Sequence, residues 1–232
     1  VFPSCTWTPA GLVRLLRRLV PEMERRGVEV FLGTMERSNV QLVEEVLADP
    51  EIGGRLGGVA FQWAGKGAVP FVHHDHPELK IYQSEQECGD GKNDWRYARY
   101  AWGMMRHYFT NGASVYDYWN LALDEGGVSR WGWSQNSFVT VDPETAQYRF
   151  NHEYYVWKHL AHFVHTGARF APTLSYTGYE NVLAFVNPDG SVVLAAQNDM
   201  STDMPISFGV GDRLVRLTLP ADSISTVLLP AG

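Results

Sequence analysis

The first half of the chain alternates between helical and strand-like spacing of its apolar residues. Thr8-Pro9 is typical of a helix start, because a capping hydroxyl precedes a proline at the first helical position. The apolar positions of this first predicted helix recur three or four residues apart as far as Gly27: Leu12, Leu15, Leu16, Leu19 and Met23. The same spacing predicts a second helix over 40–47 and a longer one over 95–109.

Short apolar runs between these helices predict four buried strands. They are Val28–Leu32, Gly57–Trp63, Leu79–Ser84 and Ala113–Trp119. Connections long enough to hold a helix indicate that neighbouring strands run parallel. Four strands are half of the eight that close a parallel barrel. The chain opens with a helix that no strand precedes, so we expect a missing N-terminal half.

The spacing changes to strict alternation after residue 165. Two apolar runs, Val182–Val186 and Val192–Ala196, flank Asn187-Pro188-Asp189-Gly190, which predicts a β-hairpin. Val215–Leu219 and Ser223–Leu229 are further predicted strands. A helix predicted over 153–164 bridges the two patterns. The sequence therefore divides into three parts, residues 1–150, 151–166 and 167–232.

Composition narrows the function classes. The formal net charge of −7 argues against a nucleic-acid partner, which requires a clustered basic surface. No run of about 18 apolar residues predicts a membrane span. The 8 Trp, 11 Tyr and 11 Phe are numerous enough to supply both core residues and flat surfaces for sugars. The two cysteines, Cys5 and Cys88, form no disulfide framework and are interpreted as small packed residues.

Polar and aromatic residues follow the ends of the predicted strands, where ligand sites of parallel α/β folds lie. These ends are Gln62-Trp63, the segment from Ser84 to Gly91, and Asp117-Tyr118-Trp119-Asn120. Indole rings stack on the C–H faces of sugars, while amides and carboxylates reach the hydroxyls, so the pattern favours a carbohydrate site. The alternative interpretation is that these aromatic residues cap the core and that Glu85 is a solvated loop residue.

Several segments carry a family resemblance in the right order along the chain. They are Ile81-Tyr82-Gln83-Ser84-Glu85-Gln86-Glu87-Cys88-Gly89-Asp90-Gly91, Pro3-Ser4-Cys5-Thr6 with Thr8-Pro9, Tyr118-Trp119-Asn120-Leu121, and Asn187-Pro188-Asp189-Gly190-Ser191. The chain resembles glycoside hydrolase family 30, the group of glucosylceramidases and β-1,6-glucanases. The resemblance implies an α/β plus all-β fold, the C-terminal half of a (β/α)8 TIM barrel (about strands five to eight) followed by a small antiparallel β-sandwich. Residues 1–150 are then a partial barrel, 151–166 a bridging helix and 167–232 the sandwich.

The resemblance also implies a mechanism and a set of site residues. Members of the family are retaining hydrolases, which use two carboxyl groups about 5 Å apart. The family's nucleophile lies in a Ser-Glu pair at the end of the seventh barrel strand, which corresponds to Ser84-Glu85 here. Glu87 has the same strand parity and is the main rival. The sugar would contact Gln62, Trp63, Trp119 and Asn120. No metal and no cofactor is expected.

Two departures from the family pattern limit this expectation. The family's acid/base lies in an Asn-Glu-Pro motif, which this chain lacks, so we expect the isolated chain to hydrolyse little or nothing. Many members carry His-Trp-Tyr where this chain has Gln62-Trp63-Ala64, which puts glucosylceramide as a substrate in doubt. A β-1,6-linked glucan or a plant-derived oligosaccharide is at least as good a candidate.

Three hypotheses follow from the sequence. The chain is the C-terminal half of a retaining β-glycosidase, a non-catalytic carbohydrate-binding remnant, or a half that acts only when paired with a separate N-terminal chain.

Trp131 and Trp133 either shape outer sugar subsites or pack under their loop. His73-His74-Asp75-His76 is interpreted as a solvated loop, since its spacing is poor for zinc. The Gly65-Lys66-Gly67 segment is interpreted as a barrel loop.

Overall fold

A computed structural model describes residues 5–231, so the Pro3-Ser4 part of the family resemblance lies outside the described residues. The chain forms two compact units. The first runs to Asn93 and resumes over His107–Arg149, and the second comprises Asp94–Arg106 and the chain from Phe150 onward.

The first unit is built on a parallel sheet of four strands in the order β1-β2-β3-β4. Its strands alternate with helices along the chain: α1 (Pro9–Glu24), β1 (Phe31–Met35), α2 (Val40–Leu47), β2 (Gly58–Gln62), α3 (Val69–Asp75), β3 (Lys80–Glu85), α4 (Trp95–Thr110) and β4 (Ala113–Tyr116). The boundary between the two units falls within α4. The predicted parallel pairing is therefore confirmed for these four strands.

Capping residues fix where the first two helices begin. The Thr8 hydroxyl accepts a hydrogen bond from the backbone N–H of Gly11 at 3.1 Å, and Pro9 occupies the first turn of α1. The Asn39 side chain likewise accepts from the N–H of Leu42 at 3.0 Å at the start of α2. Each helix then has buried apolar residues against one face of the sheet: Leu16, Val20, Val43 and Val46 from the helices, and Leu32, Val59, Phe61 and Ile81 from the strands.

Side chains of alternate parity lie on the other face of the sheet. The rings of Phe31 and Tyr82 stack there with centroids 4.3 Å apart, although they belong to β1 and β3 with β2 between them. Nearer the strand ends, the hydroxyls of Thr34 and Ser84 are hydrogen-bonded across the same intervening strand. Contacts that span a strand mean that this face of the sheet is concave.

Several predicted boundaries differ from the structure. β1 begins at Phe31 rather than Val28, because its pairing with β2 starts at Phe31 and Gly58. β4 ends at Tyr116 rather than Trp119, because the next backbone N–H, that of Asp117, bonds the carbonyl and side-chain oxygens of Gln83. The predicted loop of His73-His74-Asp75-His76 is wrong, since the first three residues belong to α3.

Beyond β4, the chain forms short strands as far as residue 150. Three short strands, β5 (Ala122–Asp124), β6 (Val139–Val141) and β7 (Tyr148–Phe150), form a three-stranded sheet. These strands were not predicted, because an alternation over three residues is too short to detect in a sequence.

The second unit carries the antiparallel half of the fold. After α5 (His152–Ala161) come β8 (Arg169–Phe170), β9 (Val182–Val186), β10 (Val192–Asn198), β11 (Met204–Val210), β12 (Arg213–Leu219) and β13 (Ser223–Leu229). One sheet has the order β13-β10-β9-β8, and β11 and β12 form a second sheet of two strands. Apolar residues of both sheets pack together, among them Ala184, Leu194, Phe208 and Val215. The predicted hairpin and the strand over 223–229 are confirmed.

Candidate active site

The four parallel strands end at one edge of their sheet, and the predicted site residues at the ends of β2 and β3 meet there. β2 ends at Gln62 and β3 ends at Glu85, and these two residues are register partners. The register shifts by one residue just before this pair, after Phe61. The two strand ends thus bring an amide and a carboxylate side by side.

Trp63 contacts Glu85 directly. Its indole Nε1–H donates a hydrogen bond to Oε1 of Glu85 at 2.9 Å, and both side chains are partly buried. Trp63 has φ +46°, in the left-handed region that a bulky residue rarely adopts, at a cost of roughly 1 kcal/mol or more. This backbone conformation begins a 3-10 helix over Trp63–Ala68. The Gly65-Lys66-Gly67 segment is therefore helical, and its interpretation as a loop was wrong.

The 3-10 helix brings Lys66 to the carboxylate of Glu87. Lys66 Nζ forms an ion pair with Oε1 of Glu87 and donates a second hydrogen bond to the Trp63 carbonyl oxygen at 3.3 Å. A Cβ at Gly65 would overlap the carbonyl oxygen of Met35, so only glycine lets this helix approach the end of β1. Glu87 lies beyond the end of β3, and its environment differs from that of Glu85.

Hydroxyl groups lie next to Glu85 on the concave face. Ser84 Oγ is hydrogen-bonded to Thr34 Oγ1 and lies 3.2 Å from the carbonyl oxygen of Phe61. These groups anchor the residue that precedes the candidate nucleophile. They also make the floor beside Glu85 polar, as a site for sugar hydroxyls requires.

Behind Glu85, two buried glutamines connect β3 to β4. Gln83 accepts the backbone N–H of Asp117 at 2.8 Å through its side chain, and the Tyr116 hydroxyl donates to Oε1 of Gln86 at 2.6 Å. Asp117 follows β4 with part of its surface exposed, and partial desolvation raises the pKa of its carboxyl group. The two glutamines fix the spacing of the strand ends.

A loop carrying two tryptophans is tied to the segment that follows Glu85. Oδ1 of Asn136, which is fully buried, accepts the backbone N–H groups of Gly91 at 2.8 Å and Asn93 at 3.3 Å. On the same loop, Trp131 and Trp133 are 46% and 42% exposed, with ring centroids 5.8 Å apart. The hypothesis that both rings are packed under the loop is thus wrong.

The remaining two predicted sugar contacts follow β4. Trp119 is 42% exposed, and Asn120 Nδ2 donates to Oε1 of Gln135 at 3.2 Å. The structure therefore brings Gln62, Trp63 and Glu85 into one cluster and links Asn120 to the tryptophan loop. Of the two cysteines, Cys88 is buried as expected, whereas Cys5 is exposed, so its interpretation as a packed residue was wrong.

Several residues of the site were absent from the candidate residues drawn from the sequence. Thr34 was missed because β1 was predicted to end at Leu32, before the residue that carries the hydroxyl. Lys66 was noted only as part of a loop. Its partner, Glu87, lies 21 residues away, beyond the end of β3. Lys66 could have been recognised as a candidate from its position three residues after Trp63, the tryptophan that follows β2.

Metal-binding and membrane-spanning features are absent from the part of the chain that the structure describes. Over residues 5–231, no group of three or more His, Cys, Asp or Glu side chains is arranged to hold a metal ion. Within the same residues, none of the helices is long and apolar enough to cross a membrane.

Comparison with known proteins finds a family model that matches part of the second unit. Residues 174–227 match the model of the "Glycosyl hydrolase family 30 beta sandwich domain". These residues are therefore similar to the β-sandwich domain of glycoside hydrolase family 30. The resemblance stated from the sequence motifs is thereby confirmed, and the family 30 match covers the strands from β9 to β12 and most of β13.

Relatives extend the family 30 similarity over the rest of the chain. Lysosomal acid glucosylceramidase of Mus musculus is 27% identical over 237 residues, covering 91% of this chain and 45% of the mouse protein. The crystal structure of SrfJ from Salmonella typhimurium superposes with a TM-score of 0.87 at 26% identity, covering 99% of this chain and 54% of SrfJ.

A third comparison concerns the fold alone. The endo-β1,6-glucanase BT3312 superposes with a TM-score of 0.84 at 20% identity, covering 99% of this chain and 55% of that one. The chain thus spans about half the length of the proteins that it matches. The sandwich model and the mouse relative, rather than this structural likeness, point to glycoside hydrolases at the level of the family.

Proposed function

We propose that the chain is the C-terminal part of a retaining β-glycosidase in which Glu85 is the nucleophile. The observation that carries the proposal is the hydrogen bond from Trp63 to Glu85, at the edge where the parallel strands end. A carboxylate at such an edge, beside an aromatic ring and hydroxyl groups, has the surroundings that a sugar-cleaving nucleophile needs. The motif match to family 30 supports Glu85 over Glu87.

The proposed reaction has two steps. A carboxylate oxygen of Glu85 attacks the anomeric carbon, the bond from that carbon to the leaving oxygen breaks, and an acid donates a proton to the leaving oxygen. Water then attacks the same carbon, gives a proton to the same residue acting as base, and releases the Glu85 carboxylate. The sugar regains its starting configuration because the carbon is inverted twice.

The acid/base belongs to a part of the enzyme outside this sequence. Since the Asn-Glu-Pro motif is absent from the 232 residues, we propose that an N-terminal half of the same enzyme supplies it and completes the (β/α)8 barrel. The four strands β1–β4 are then strands five to eight of that barrel. The concave face, with Phe31 and Tyr82 stacked on it, supports this reading, because the inner face of a barrel is concave.

The proposed substrate is a β-linked oligosaccharide rather than glucosylceramide. Gln62, Trp63, Trp119 and Asn120 are the proposed sugar contacts. Ala64 leaves the site without the phenol that many family members place after the tryptophan, which speaks against a simple transfer of substrate from the mouse glucosylceramidase. A β-1,6-linked glucan is the better candidate, and the fold shared with an endo-β1,6-glucanase is compatible with it.

A covalent label tests the nucleophile. The coding sequence upstream of Val1 is read first, and the complete reading frame is expressed beside the chain itself. Both are treated with a cyclitol epoxide and digested with trypsin, which yields a peptide of residues 81–92 containing Glu85, Glu87 and Cys88. We expect the label on Glu85 in the complete enzyme and little or none in the isolated chain, since loss of a general acid costs about 10²- to 10⁴-fold.

Matched variants decide between the two carboxylates and between the functions. Glu85→Gln is expected to abolish labelling and hydrolysis, whereas Glu87→Gln is expected to keep the label on residue 85. The reverse result would make Glu87 the nucleophile. Sugar binding without labelling of either form would support a carbohydrate-binding remnant, a role that the exposed Trp119, Trp131 and Trp133 favour. Labelling only after a separate N-terminal chain is added would support a two-chain enzyme.

A further inference from the structure

Lys66 is held at three points beside the candidate nucleophile. Its ammonium group pairs with Glu87 and donates to the Trp63 carbonyl oxygen at 3.3 Å. Its own carbonyl oxygen accepts a hydrogen bond from Nε2 of His107 in α4 at 2.8 Å. The Lys66 side chain is 30% exposed and that of Glu87 is 19% exposed, so the ion pair is largely shielded from solvent.

The hydrogen bond from Lys66 to the Trp63 carbonyl oxygen restrains the direction of the Trp63 indole. Trp63 has φ +46° and donates from Nε1 to Glu85 at 2.9 Å. A residue in the left-handed region persists only when its surroundings fix it. The bond from Lys66 to the Trp63 carbonyl supplies such a restraint, because it fixes the peptide unit immediately after the unusual φ angle.

The Glu87 end keeps the two nearby carboxylates different. Glu87 faces a cation, whereas Glu85 accepts a hydrogen bond from a neutral indole. A carboxylate tied to an ammonium group is stabilised and becomes a poorer nucleophile. If Lys66 were absent, the partly buried Glu87 charge would lose this ion pair, and its side chain would be free to reorganise beyond the end of β3.

We infer that Lys66 is a positioning residue of this site, acting through Trp63 and Glu87 on Glu85. It fixes the indole that orients the nucleophile, and it holds Glu87 in an ion pair, so that Glu87 has a structural role. This role rests on the proposed function of Glu85. It also assigns a purpose to the segment after β2, where Ala64 replaces the phenol found in many family members: the indole takes the hydrogen bond to Glu85, and Lys66 holds the indole.

The first test is spectroscopic and needs no activity. The chain is labelled with ¹⁵N, and the indole cross-peak of Trp63 is assigned by its loss in Trp63→Phe. In Lys66→Met we expect this peak to move toward the position of exposed indoles, while the peaks of the other tryptophans keep their places. Lys66→Arg, which retains the charge and the donors, should restore it. Lys92→Met, which removes a lysine that pairs with Asp90 on the loop after β3, is the matched control.

The second test measures the nucleophile itself. In the complete enzyme, the rate of epoxide labelling at Glu85 should fall about 10- to 100-fold in Lys66→Met, as expected for a displaced reacting group, with the concentration for half-maximal rate little changed. Lys66→Arg should recover most of that rate. If Lys66 had a purely structural role, Lys66→Met would change the midpoint of urea denaturation but would not lower the labelling rate at an unchanged half-maximal concentration.

The outcomes separate the two proposals. An unmoved Trp63 indole peak in folded Lys66→Met overturns the positioning role, whatever the activity of the enzyme. Absence of labelling in the wild-type complete enzyme overturns the role of Glu85, while the indole shift still decides whether Lys66 holds Trp63. If Lys66→Met does not fold, the double variant Lys66→Met/Glu87→Gln, which removes both charges of the ion pair, takes its place and is expected to show the same indole shift.

Discussion

Oδ1 of Asn136 lies 2.8 Å from the backbone nitrogen of Gly91, and this hydrogen bond joins the tryptophan loop to the segment that follows Glu85. Gly91 has φ +81°, and a Cβ there would crowd Ser134 and the carbonyl oxygen of Gly126. The fully buried amide thus holds a stretch of chain that forms neither helix nor strand. Side-chain hydrogen bonds replace secondary structure at this point of the site.

Replacing Asn136 with alanine is expected to destabilise the chain. The change removes the acceptor of two backbone N–H groups, those of Gly91 and Asn93, in a partly buried part of the chain. The expected loss is about 3 kcal/mol in the free energy of unfolding. Urea denaturation measures it. Asn39→Ala, which removes only the cap of α2, is the comparison and should cost about 1 kcal/mol. Equal losses would contradict the account of Asn136.

Trp63→Phe is expected to lower the reactivity of Glu85 while leaving the fold intact. Phenylalanine keeps an aromatic ring and removes the N–H that donates to Oε1 of Glu85. A hydrogen bond to a charged group is worth about 1.5–3 kcal/mol, so kcat/KM of the complete enzyme on an aryl β-glycoside should fall about 10- to 100-fold. Trp157→Phe, in α5 of the second unit and outside the proposed site, is the control. Unchanged kcat/KM in Trp63→Phe would count against the orienting role of the indole.

The two thiols are expected to react at very different rates. Burial, together with the negative charges of Glu85 and Glu87, raises the pKa of the Cys88 thiol, whereas Cys5 is exposed. Titration of the native chain with a disulfide reagent at neutral pH should therefore show one fast thiol, and the second only after unfolding in urea. Cys5→Ser should remove the fast reaction. A fast reaction that survives in this variant would show that Cys88 is accessible.

Stability of the second unit is expected to fall in mild acid through His159. Burial, with a smaller contribution from Lys158, lowers the pKa of His159, whose Nδ1 lies 2.8 Å from the Thr226 hydroxyl oxygen. The unfolded chain then binds more protons than the folded chain below the ordinary histidine pKa of about 6.5. This contribution to stability is present above that pH and declines as the pH falls from there toward the lowered pKa of the folded state.

The measurement is the urea midpoint between pH 8 and pH 5 for the wild type, His159→Gln and the exposed-site control His74→Gln. The decline in acid should be smaller in His159→Gln than in the other two proteins. Identical slopes in all three would show that His159 contributes nothing to the acid sensitivity.

The sequence predicted those elements for which the spacing of apolar residues and the position of turn residues indicated the same boundaries. Ser223–Leu229 matches β13 because alternation continues over the whole strand, and Val182–Val186 matches β9 because a turn of Asn187 to Gly190 ends it. α3 was missed. It spans only seven residues, and the histidines at its end hid the two buried valines, Val69 and Val72, that mark its inner face.

The site was predictable in its residue types and less so in its contacts. Gln62, Trp63 and Glu85 could be predicted because they lie at strand ends, and the last residues of parallel strands lie at one edge of the sheet. The bond between Trp63 and Glu85 depends on a left-handed φ angle and a shift in register between β2 and β3, and neither is visible in the order of residues. The pairing of Lys66 with Glu87 depends on the same turn.

Pro205 lies in β11, which among residues 5–231 pairs only with β12. A proline in a paired strand has no N–H to donate, and it is found on edge strands or at bulges. The open edge of β11 therefore lacks one of the donors that another strand would need in order to pair with it. This missing donor makes the edge a poor template for recruiting a neighbouring molecule, and it helps to keep the sandwich from aggregating at high concentration.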